Sequence, residues 1–288
     1  MGMPTDIPII ETMLGFPKPD FSTYDFIRQQ TKDTQSSEEF EFPVEYMFKG
    51  VPKELYGTDD DPLQVVLGEM DRFNIERAMI SCVDDTCQRA LTAHPERFIP
   101  SFEVNPNDVM GTLREMVALH EKWGLKAATA FPAGCFPQVP IDDAKFYPIY
   151  AKCIELDIPI FVCSGVPGPR FPFSPQHVER IDRVMYDFPE LTFVTRHGCE
   201  PWEDLAVKLM LKWPGLHYST SAFAPKHYPE AIIRYANTRG ADKVIYAGYF
   251  PMGLSLERIM TELRDVPFRD KVWPGFLREN ALRVLKLD

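Results

Sequence analysis

The chain has 288 residues, and its 31 lysines and arginines against 42 aspartates and glutamates give a formal net charge of −11. With 45% apolar and 25% charged residues, the composition is typical of a globular protein and excludes a mainly disordered chain. The acidic balance argues against non-specific binding to nucleic acid and to anionic membrane surfaces.

Short β-branched runs alternate with helical patterns along the chain. The predicted strands are residues 7–10, 75–83, 98–105, 125–131, 159–165, 191–198, 216–222 and 243–250. The predicted helices are residues 62–73, 109–123, 147–156, 176–187, 202–212, 228–238, 255–263 and 276–285. This alternation implies parallel strands joined by right-handed crossovers. Because a (β/α)8 TIM barrel typically takes about 250 residues, we predict one α/β barrel domain over residues 1–288, with a doubly wound open sheet as the alternative.

Residues 16–61 do not follow this alternation. They carry an acidic stretch around residues 38–41 and the aromatic residues Phe40, Phe42, Tyr46 and Phe48. One interpretation is a long surface insertion after the first strand. The other is a lid over the barrel mouth, because the loops after barrel strands are where this fold builds its sites.

Several motifs that carry chemistry are absent from the sequence. It contains neither G-x-x-x-x-G-K-[ST] nor a G-x-G-x-x-G after a strand, so it gives no sign of a phosphate-binding loop. It also lacks the G-x-S-x-G elbow and the H-E-x-x-H zinc motif. We therefore expect the chemistry at the C-terminal ends of the strands.

Six short segments near the predicted strand ends carry a resemblance to a known family. They are Pro95-Glu-Arg-Phe98, Tyr147-Pro-Ile-Tyr150 with Ile158-Pro159, Phe188-Pro-Glu-Leu191, His197-Gly198, Ala247-Gly-Tyr-Phe-Pro251, and Asn280-Ala281-Leu282 with Leu285. In this order they resemble the amidohydrolase-related (amidohydrolase 2) family of metal-dependent (β/α)8 hydrolases and decarboxylases. The resemblance covers nearly the whole chain after residue 60 and implies an amidohydrolase-like barrel.

The metal-binding pattern that the resemblance implies is mostly missing. In the family, two histidines of an Asp-x-His-x-His segment, a histidine after strand five and an aspartate after strand eight bind the metal. Here these positions hold Met13, Gly15, Cys163 and Tyr249, and only His197 is retained. Zinc requires three protein ligands and an open position, so we predict a metal-free site without a cofactor.

Without a metal, the Lewis acid and the activated water that it generates are lost. Thioesters need less assistance, because their carbonyl has little resonance stabilisation and thiolate is a good leaving group. The chain resembles a metal-free branch of the family, such as a thioesterase of diterpenoid antibiotic biosynthesis of the platensimycin type. We predict a metal-independent hydrolase of an acyl thioester such as acyl-CoA, with His197 as general base. A metal-free lyase or decarboxylase of a carboxylic acid, and a non-catalytic ligand-binding barrel, are the alternatives.

We predict three catalytic residues at the barrel mouth. His197 serves as base or acid, because imidazole titrates near neutral pH. Glu11 orients His197 or shares in proton transfer, and Tyr249 donates a hydrogen bond to a substrate oxygen. The structural alternatives are a buried histidine, a carboxylate that caps the loop and a phenol that fills the former metal cavity.

Four further residues are predicted to bind substrate, namely Cys163, Arg170, Glu200 and Ser221. Cys163 could form a nucleophilic pair with His197, or it could be a small buried hydrophobe. Arg170 follows two prolines in Val166-Pro-Gly-Pro169 and could bind a carboxylate or phosphate, or it could pair with a surface acid. Glu200 could instead favour the N-terminus of the next helix.

The six cysteines include no C-x-x-C pair, which predicts reduced thiols in a cytoplasmic protein. No apolar run approaches the roughly 18 residues of a membrane-spanning helix, and the first residues lack the features of a secretory signal. We expect a small-molecule acyl thioester as the partner, with neither nucleic acid nor membrane, and we leave a homodimer open.

Overall fold

The centre of the molecule is a sheet of short parallel strands. The structure is a computed structural model that describes residues 2–287. In this range the strands are β1 (Ile9–Glu11), β2 (Ile75–Ser81), β3 (Phe98–Glu103), β4 (Ala127–Ala130), β5 (Ile160–Cys163), β6 (Phe193–Arg196), β7 (Leu216–Ser219) and β8 (Val244–Ile245). Each strand pairs in parallel with the next, in the order β1 to β8.

The two ends of the sheet meet just beyond β1 and β8. Leu14 and Phe250 form a parallel bridge, and the Gly15 amide donates to the Phe250 carbonyl at 2.9 Å. The Thr12 hydroxyl donates to the Tyr246 carbonyl at 2.7 Å. These contacts close the sheet on itself, so the predicted (β/α)8 barrel is confirmed.

Most of the helices connect the strands on the outside of the barrel. The helices are α1 (Asp25–Arg28), α2 (Pro62–Arg72), α3 (Asp85–Ala93), α4 (Val109–Trp123), α5 (Tyr147–Glu155), α6 (Arg180–Asp187), α7 (Glu203–Lys212), α8 (Glu230–Thr238), α9 (Leu256–Leu263) and α10 (Asn280–Leu285). Asp61, Asp84 and Asp108 accept hydrogen bonds from backbone amides of the first turns of α2, α3 and α4. Such caps fix where a helix begins, because these amides have no partner inside the helix.

Apolar side chains fill the interior of the barrel at the N-terminal end of the strands. A layer of inward-facing strand residues packs there against Ala281, Val284 and Leu285 of α10. The layer consists of Ile10, Met79, Ile99, Ala127, Phe161, Val194 and Ile245. Because this end is closed, a ligand can enter the barrel only from the C-terminal ends of the strands.

Seven strands, β2 to β8, end earlier than the sequence predicts, and beyond β6, β7 and β8 the backbone turns sharply. His197, Ala222 and Tyr249 have φ values of 63°, 72° and 64°, in the left-handed region that residues other than glycine rarely adopt. This conformation turns the chain out of the strand direction, and such residues cluster at functional sites.

None of the helices within residues 2–287 is long and apolar enough to cross a lipid bilayer. All six cysteines are free thiols, as the sequence predicts.

Candidate active site at the barrel mouth

A cavity of about 850 Å³ lies at the C-terminal ends of the strands. Residues that end strands or directly follow them line it, including Glu103, Cys163, Arg196, His197 and Tyr249. A second cavity of about 330 Å³ shares Glu103, Arg196 and Tyr249 with the first. Active sites of (β/α)8 barrels are built at this end, so the two cavities form the candidate site.

The insertion of residues 16–61 covers the mouth of the barrel. Phe42 is fully buried in a small core of the insertion that also includes Val51 and Met252. The ring of Phe48 packs edge-on against Tyr249, with ring centroids 5.9 Å apart. The insertion therefore forms one wall of the larger cavity, and its movement as a lid stays a prediction.

Arg170 ties this insertion to the loop after β5. Its guanidinium forms an ion pair with Asp33, donates to Gln35 Oε1 at 3.0 Å and lies over the Tyr46 ring at 4.5 Å. The Tyr46 hydroxyl donates to the Gly168 carbonyl of the same loop. We call Arg170, Asp33, Gln35 and Tyr46 the insertion clamp. Arg170 thus pairs with a nearby acid. This agrees with the structural alternative given for it and not with the predicted substrate contact.

His197 directly follows β6 and is held by a serine. Its Nδ1 lies 3.3 Å from Ser221 Oγ, and its backbone amide donates to the same oxygen at 3.1 Å. These contacts leave Nε2 for the cavity, where the imidazole lies 5.1 Å from the Tyr249 ring, centroid to centroid. Ser221 is fully buried and lines neither cavity, so it positions His197 instead of contacting a ligand.

The imidazole of His197 is uncharged at neutral pH. Burial, together with the smaller effect of the charge of Arg196, lowers the pKa of His197 to about 3. Neutral imidazole is the form that accepts a proton.

Tyr249 and Cys163 both face the larger cavity in their protonated forms. Burial raises the pKa of the Cys163 thiol to about 12 and that of the Tyr249 phenol well above its usual value. Thiolate is the nucleophilic form of cysteine, and no hydrogen bond joins Cys163 to His197 in the part of the chain that the structure describes. The geometry therefore favours a hydrogen-bond donor at Tyr249 over a nucleophile at Cys163.

Glu11 lies beside the site but does not line either cavity. Its carboxyl is fully buried and accepts hydrogen bonds from the Gly248 amide at 2.8 and 2.9 Å and from the Met13 amide at 2.9 Å. Burial raises the pKa of Glu11 to about 8, against the lowering effect of these amides. Glu11 thus joins the end of β1 to the segment after β8, which is the capping alternative to a catalytic role.

Glu200 is exposed and lines the larger cavity near its rim. Its carbonyl accepts a hydrogen bond from the Val166 amide at 2.8 Å, which fixes the two loops relative to each other. Of the seven predicted site residues, four line the larger cavity, namely His197, Tyr249, Cys163 and Glu200.

Sequence reasoning missed two charged residues at the centre of the site. Arg196 is the last residue of β6 and Glu103 the last residue of β3, and both line the two cavities. Desolvation in the cavity raises the pKa of Glu103, and the charge of Arg196 opposes this. The sequence feature that could have identified them is a charged residue near the end of a predicted barrel strand that is otherwise mostly apolar.

The profile of the family described as amidohydrolase matches residues 44–287. The chain belongs to the amidohydrolase family. No curated relative matches the chain.

Solved structures similar to this amidohydrolase-family protein share its fold along almost the whole chain. An uncharacterised TIM-barrel protein, Bb4693 from Bordetella bronchiseptica, is 21% identical, with a TM-score of 0.73 over 98% of this chain and 99% of that one. A 5-carboxyvanillate decarboxylase from Novosphingobium aromaticivorans, in complex with manganese, is 16% identical, with a TM-score of 0.67 over 98% and 97%. A 2,6-dihydroxybenzoate decarboxylase from Rhizobium is 14% identical, with a TM-score of 0.65 over 98% and 99%.

The donor set at the mouth of this chain does not fit a metal such as manganese. Within residues 2–287 no group of three or more His, Cys, Asp or Glu side chains is placed to hold a metal ion. Manganese prefers oxygen ligands. Glu103 and His197 face the larger cavity, but Met13 offers a thioether, Cys163 a protonated thiol and Glu11 a carboxyl bound to backbone amides, so no third suitable ligand joins them in the described residues.

Proposed function

We propose that this amidohydrolase-family protein is a metal-independent lyase that decarboxylates a carboxylic acid substrate. The observation that carries the proposal is the carboxyl group of Glu103, which ends β3, is accessible from both cavities and has its pKa raised by desolvation. Decarboxylation requires a proton donor at the carbon that loses carbon dioxide, and it requires no activated water. Two of the similar solved structures are decarboxylases of aromatic acids, which supports the same reaction class.

In this reaction the bond between the substrate carbon and its carboxylate breaks, and carbon dioxide leaves. The electron pair of that bond stays on the substrate, and the Glu103 carboxyl donates its proton to the carbon. Glu103 then regains a proton from solvent. Neutral His197 accepts a hydrogen bond from a hydroxyl of the substrate, and the Tyr249 hydroxyl donates one to a substrate oxygen.

Carbon dioxide release tests this proposal. The protein is incubated with 2,6-dihydroxybenzoate, 5-carboxyvanillate and a set of aliphatic β-keto acids, with and without EDTA, and elemental analysis gives its metal content. We expect release that EDTA does not reduce, from protein with far less than one equivalent of metal. Stoichiometric metal that EDTA removes together with activity would contradict a metal-independent reaction.

The Glu103→Gln variant tests the proton donor. An amide cannot donate an acidic proton, so we expect turnover to fall by at least about 10²-fold. Glu96→Gln is the matched control, because Glu96 lies on the surface near the opposite end of β3 and is expected to leave turnover unchanged. Similar rates for Glu103→Gln and wild type would remove Glu103 from the mechanism.

A second candidate is hydrolysis of an acyl thioester, which the neutral imidazole of His197 and its unpartnered Nε2 favour. In that reaction His197 takes a proton from water as the water attacks the thioester carbonyl. Thiol release from a panel of acyl-CoA esters supports this candidate, whereas carbon dioxide release supports the lyase. Saturable binding without either product would contradict both and support a binding barrel.

A further inference from the structure

Among residues 2–287, the side chain of Arg196 forms neither a hydrogen bond nor a salt bridge, although its charge acts on Glu11 and Glu103. Only 7% of the residue is exposed, and its Nε is buried without a hydrogen-bond partner. Two other arginines near the mouth already pair with carboxylates, Arg170 with Asp33 and Arg258 with Glu262. A buried donor nitrogen without a hydrogen-bond partner lowers the stability of a fold, so no hydrogen bond within the described part of the chain explains the presence of Arg196.

The position of Arg196 is central to the site. It lines both cavities and therefore lies where they join. Its charge acts on Glu103, Cys163, His197 and Tyr249, which come from or follow four different strands. A fixed cation among these strand ends repels a second cation, which agrees with a donor set that does not fit a metal.

We propose that the Arg196 guanidinium is the binding site for the carboxylate of an aryl or similarly bulky apolar acid. This inference rests on the proposed function, since it names the substrate class of the same site. A guanidinium binds a carboxylate through two parallel hydrogen bonds, and burial strengthens such a pair. The larger cavity supplies apolar and aromatic surface for the rest of the acid from Met13, Tyr24, Phe48, Phe131 and Phe223.

The charge of the ligand also accounts for product release in the proposed reaction. The substrate carboxylate and the guanidinium neutralise each other in the complex. Once carbon dioxide has left, the product no longer carries that anion, and the attraction to Arg196 that held the substrate is gone. The same residue therefore discriminates substrate from product.

Binding without turnover tests the assignment. Isothermal titration of the protein compares benzoate and 1-naphthoate with their neutral amides, benzamide and 1-naphthamide. We expect each acid to bind at least about tenfold more tightly than its amide. Arg196→Met removes this preference, and Arg196→Lys retains part of it because the ammonium keeps the charge but not the two parallel hydrogen bonds. Arg258→Met is the matched control and keeps the preference, because Arg258 lines the same cavity but pairs with Glu262.

Thermal unfolding without ligand provides an independent measurement. If Arg196 is kept for a ligand, Arg196→Met removes a buried guanidinium that lacks hydrogen bonds, and we expect its melting temperature to rise above that of wild type. A lower melting temperature, or undiminished binding of the acids to Arg196→Met, would overturn the proposal. If the acids bind through Arg196 but the protein releases no carbon dioxide, the carboxylate site stands and only the proposed decarboxylation is contradicted.

Discussion

At the scale of single residues, removal from water controls the protonation of the groups around the cavity. It raises the pKa of Cys163, lowers that of His197 and raises that of Glu103. In each case the uncharged form is favoured, because a charge is poorly solvated there. A neutral base, His197, therefore faces the same cavity as a carboxyl group whose pKa is raised, and proton transfer to and from a substrate requires a base and an acid.

The role of His197 can be tested on the substrate that the product panels identify. We expect His197→Gln to lower kcat by about 10²- to 10⁴-fold, because the imidazole accepts a hydrogen bond from the substrate in the proposed lyase reaction and is the base in thioester hydrolysis. Since the pKa of His197 lies at about 3, the wild-type rate should show no loss from this residue as the pH falls through 6.5. His227→Gln changes an exposed histidine at the cavity rim and should leave kcat unchanged. A loss of rate centred near pH 6.5 would contradict the neutral form that the structure gives His197.

Cys163 provides the contrasting test of covalent chemistry. With a pKa of about 12 the thiol is almost entirely protonated at neutral pH, so we expect Cys163→Ser to keep most of the wild-type turnover. Mass spectrometry of the intact protein during turnover should find no acyl adduct. An adduct that the serine variant fails to form would establish Cys163 as the nucleophile.

The candidate site could be predicted from the sequence only in part. His197, Tyr249 and Cys163 were found because a resemblance placed them at strand ends, and the larger cavity brings them together. Arg196 and Glu103 were missed because no family pattern marked them, although each ends a strand. Glu11 and Arg170 were placed in the site because sequence does not reveal hydrogen-bond partners, and their partners are backbone amides and the insertion.

At the scale of elements, the insertion clamp decides how firmly residues 16–61 cover the site. We expect Arg170→Met to free the insertion, because it removes the ion pair with Asp33 and the contact over Tyr46. Limited proteolysis should then cleave within residues 16–61 at least severalfold faster than in wild type, while the barrel stays intact. Peptide mapping of the fragments measures this.

A matched control exists on the barrel wall. Arg183 also pairs with an acid, Asp187, and lies over a tyrosine ring, that of Tyr186 at 5.8 Å, but it belongs to α6. Arg183→Met should therefore leave cleavage of the insertion unchanged. Equal cleavage of the insertion in the Arg170 and Arg183 variants would show that the clamp does not hold it.

Some of these helices and strands can be predicted from the sequence pattern and others cannot. The periodicity of residues 109–123 predicts α4 with the bounds that the structure has, because its buried residues recur at helical spacing. Helix α3 was not predicted, since its buried face consists of the small residues Cys87 and Ala90 together with Leu91. The predicted strand 243–250 is longer than the observed strand, Val244–Ile245, and the backbone turns at Tyr249, four residues beyond its end.

At the scale of the whole molecule, buried titratable groups at both ends of the barrel link stability to pH in opposite directions. His217 is buried, and desolvation lowers its pKa to about 3, as for His197. The unfolded chain therefore binds protons at these histidines between pH 6.5 and 3 that the native state does not, and stability falls as the pH falls through that window. Glu11, with a pKa of about 8, binds a proton in the native state that the unfolded chain releases above pH 4.5. Its contribution is complete below pH 4.5 and is lost as the pH rises toward 8.

The contribution of these histidines fades as the pH rises above 6.5, so the decline toward pH 8 comes from the carboxyl groups with raised pKa, Glu11 and Glu103. We expect the free energy of unfolding of wild type, measured by urea denaturation, to decrease between pH 6.5 and pH 8. Glu11→Gln cannot titrate and should show a shallower decrease, with the remaining slope coming from Glu103, whose raised pKa acts in the same direction. The control His217→Asn should keep the full decrease above pH 6.5 and lose part of the wild-type rise between pH 3 and 6.5. A Glu11→Gln variant with the wild-type slope would mean that the amides of Gly248 and Met13 hold this carboxyl ionised in the native state, and that β1 and the segment after β8 are joined by a charge.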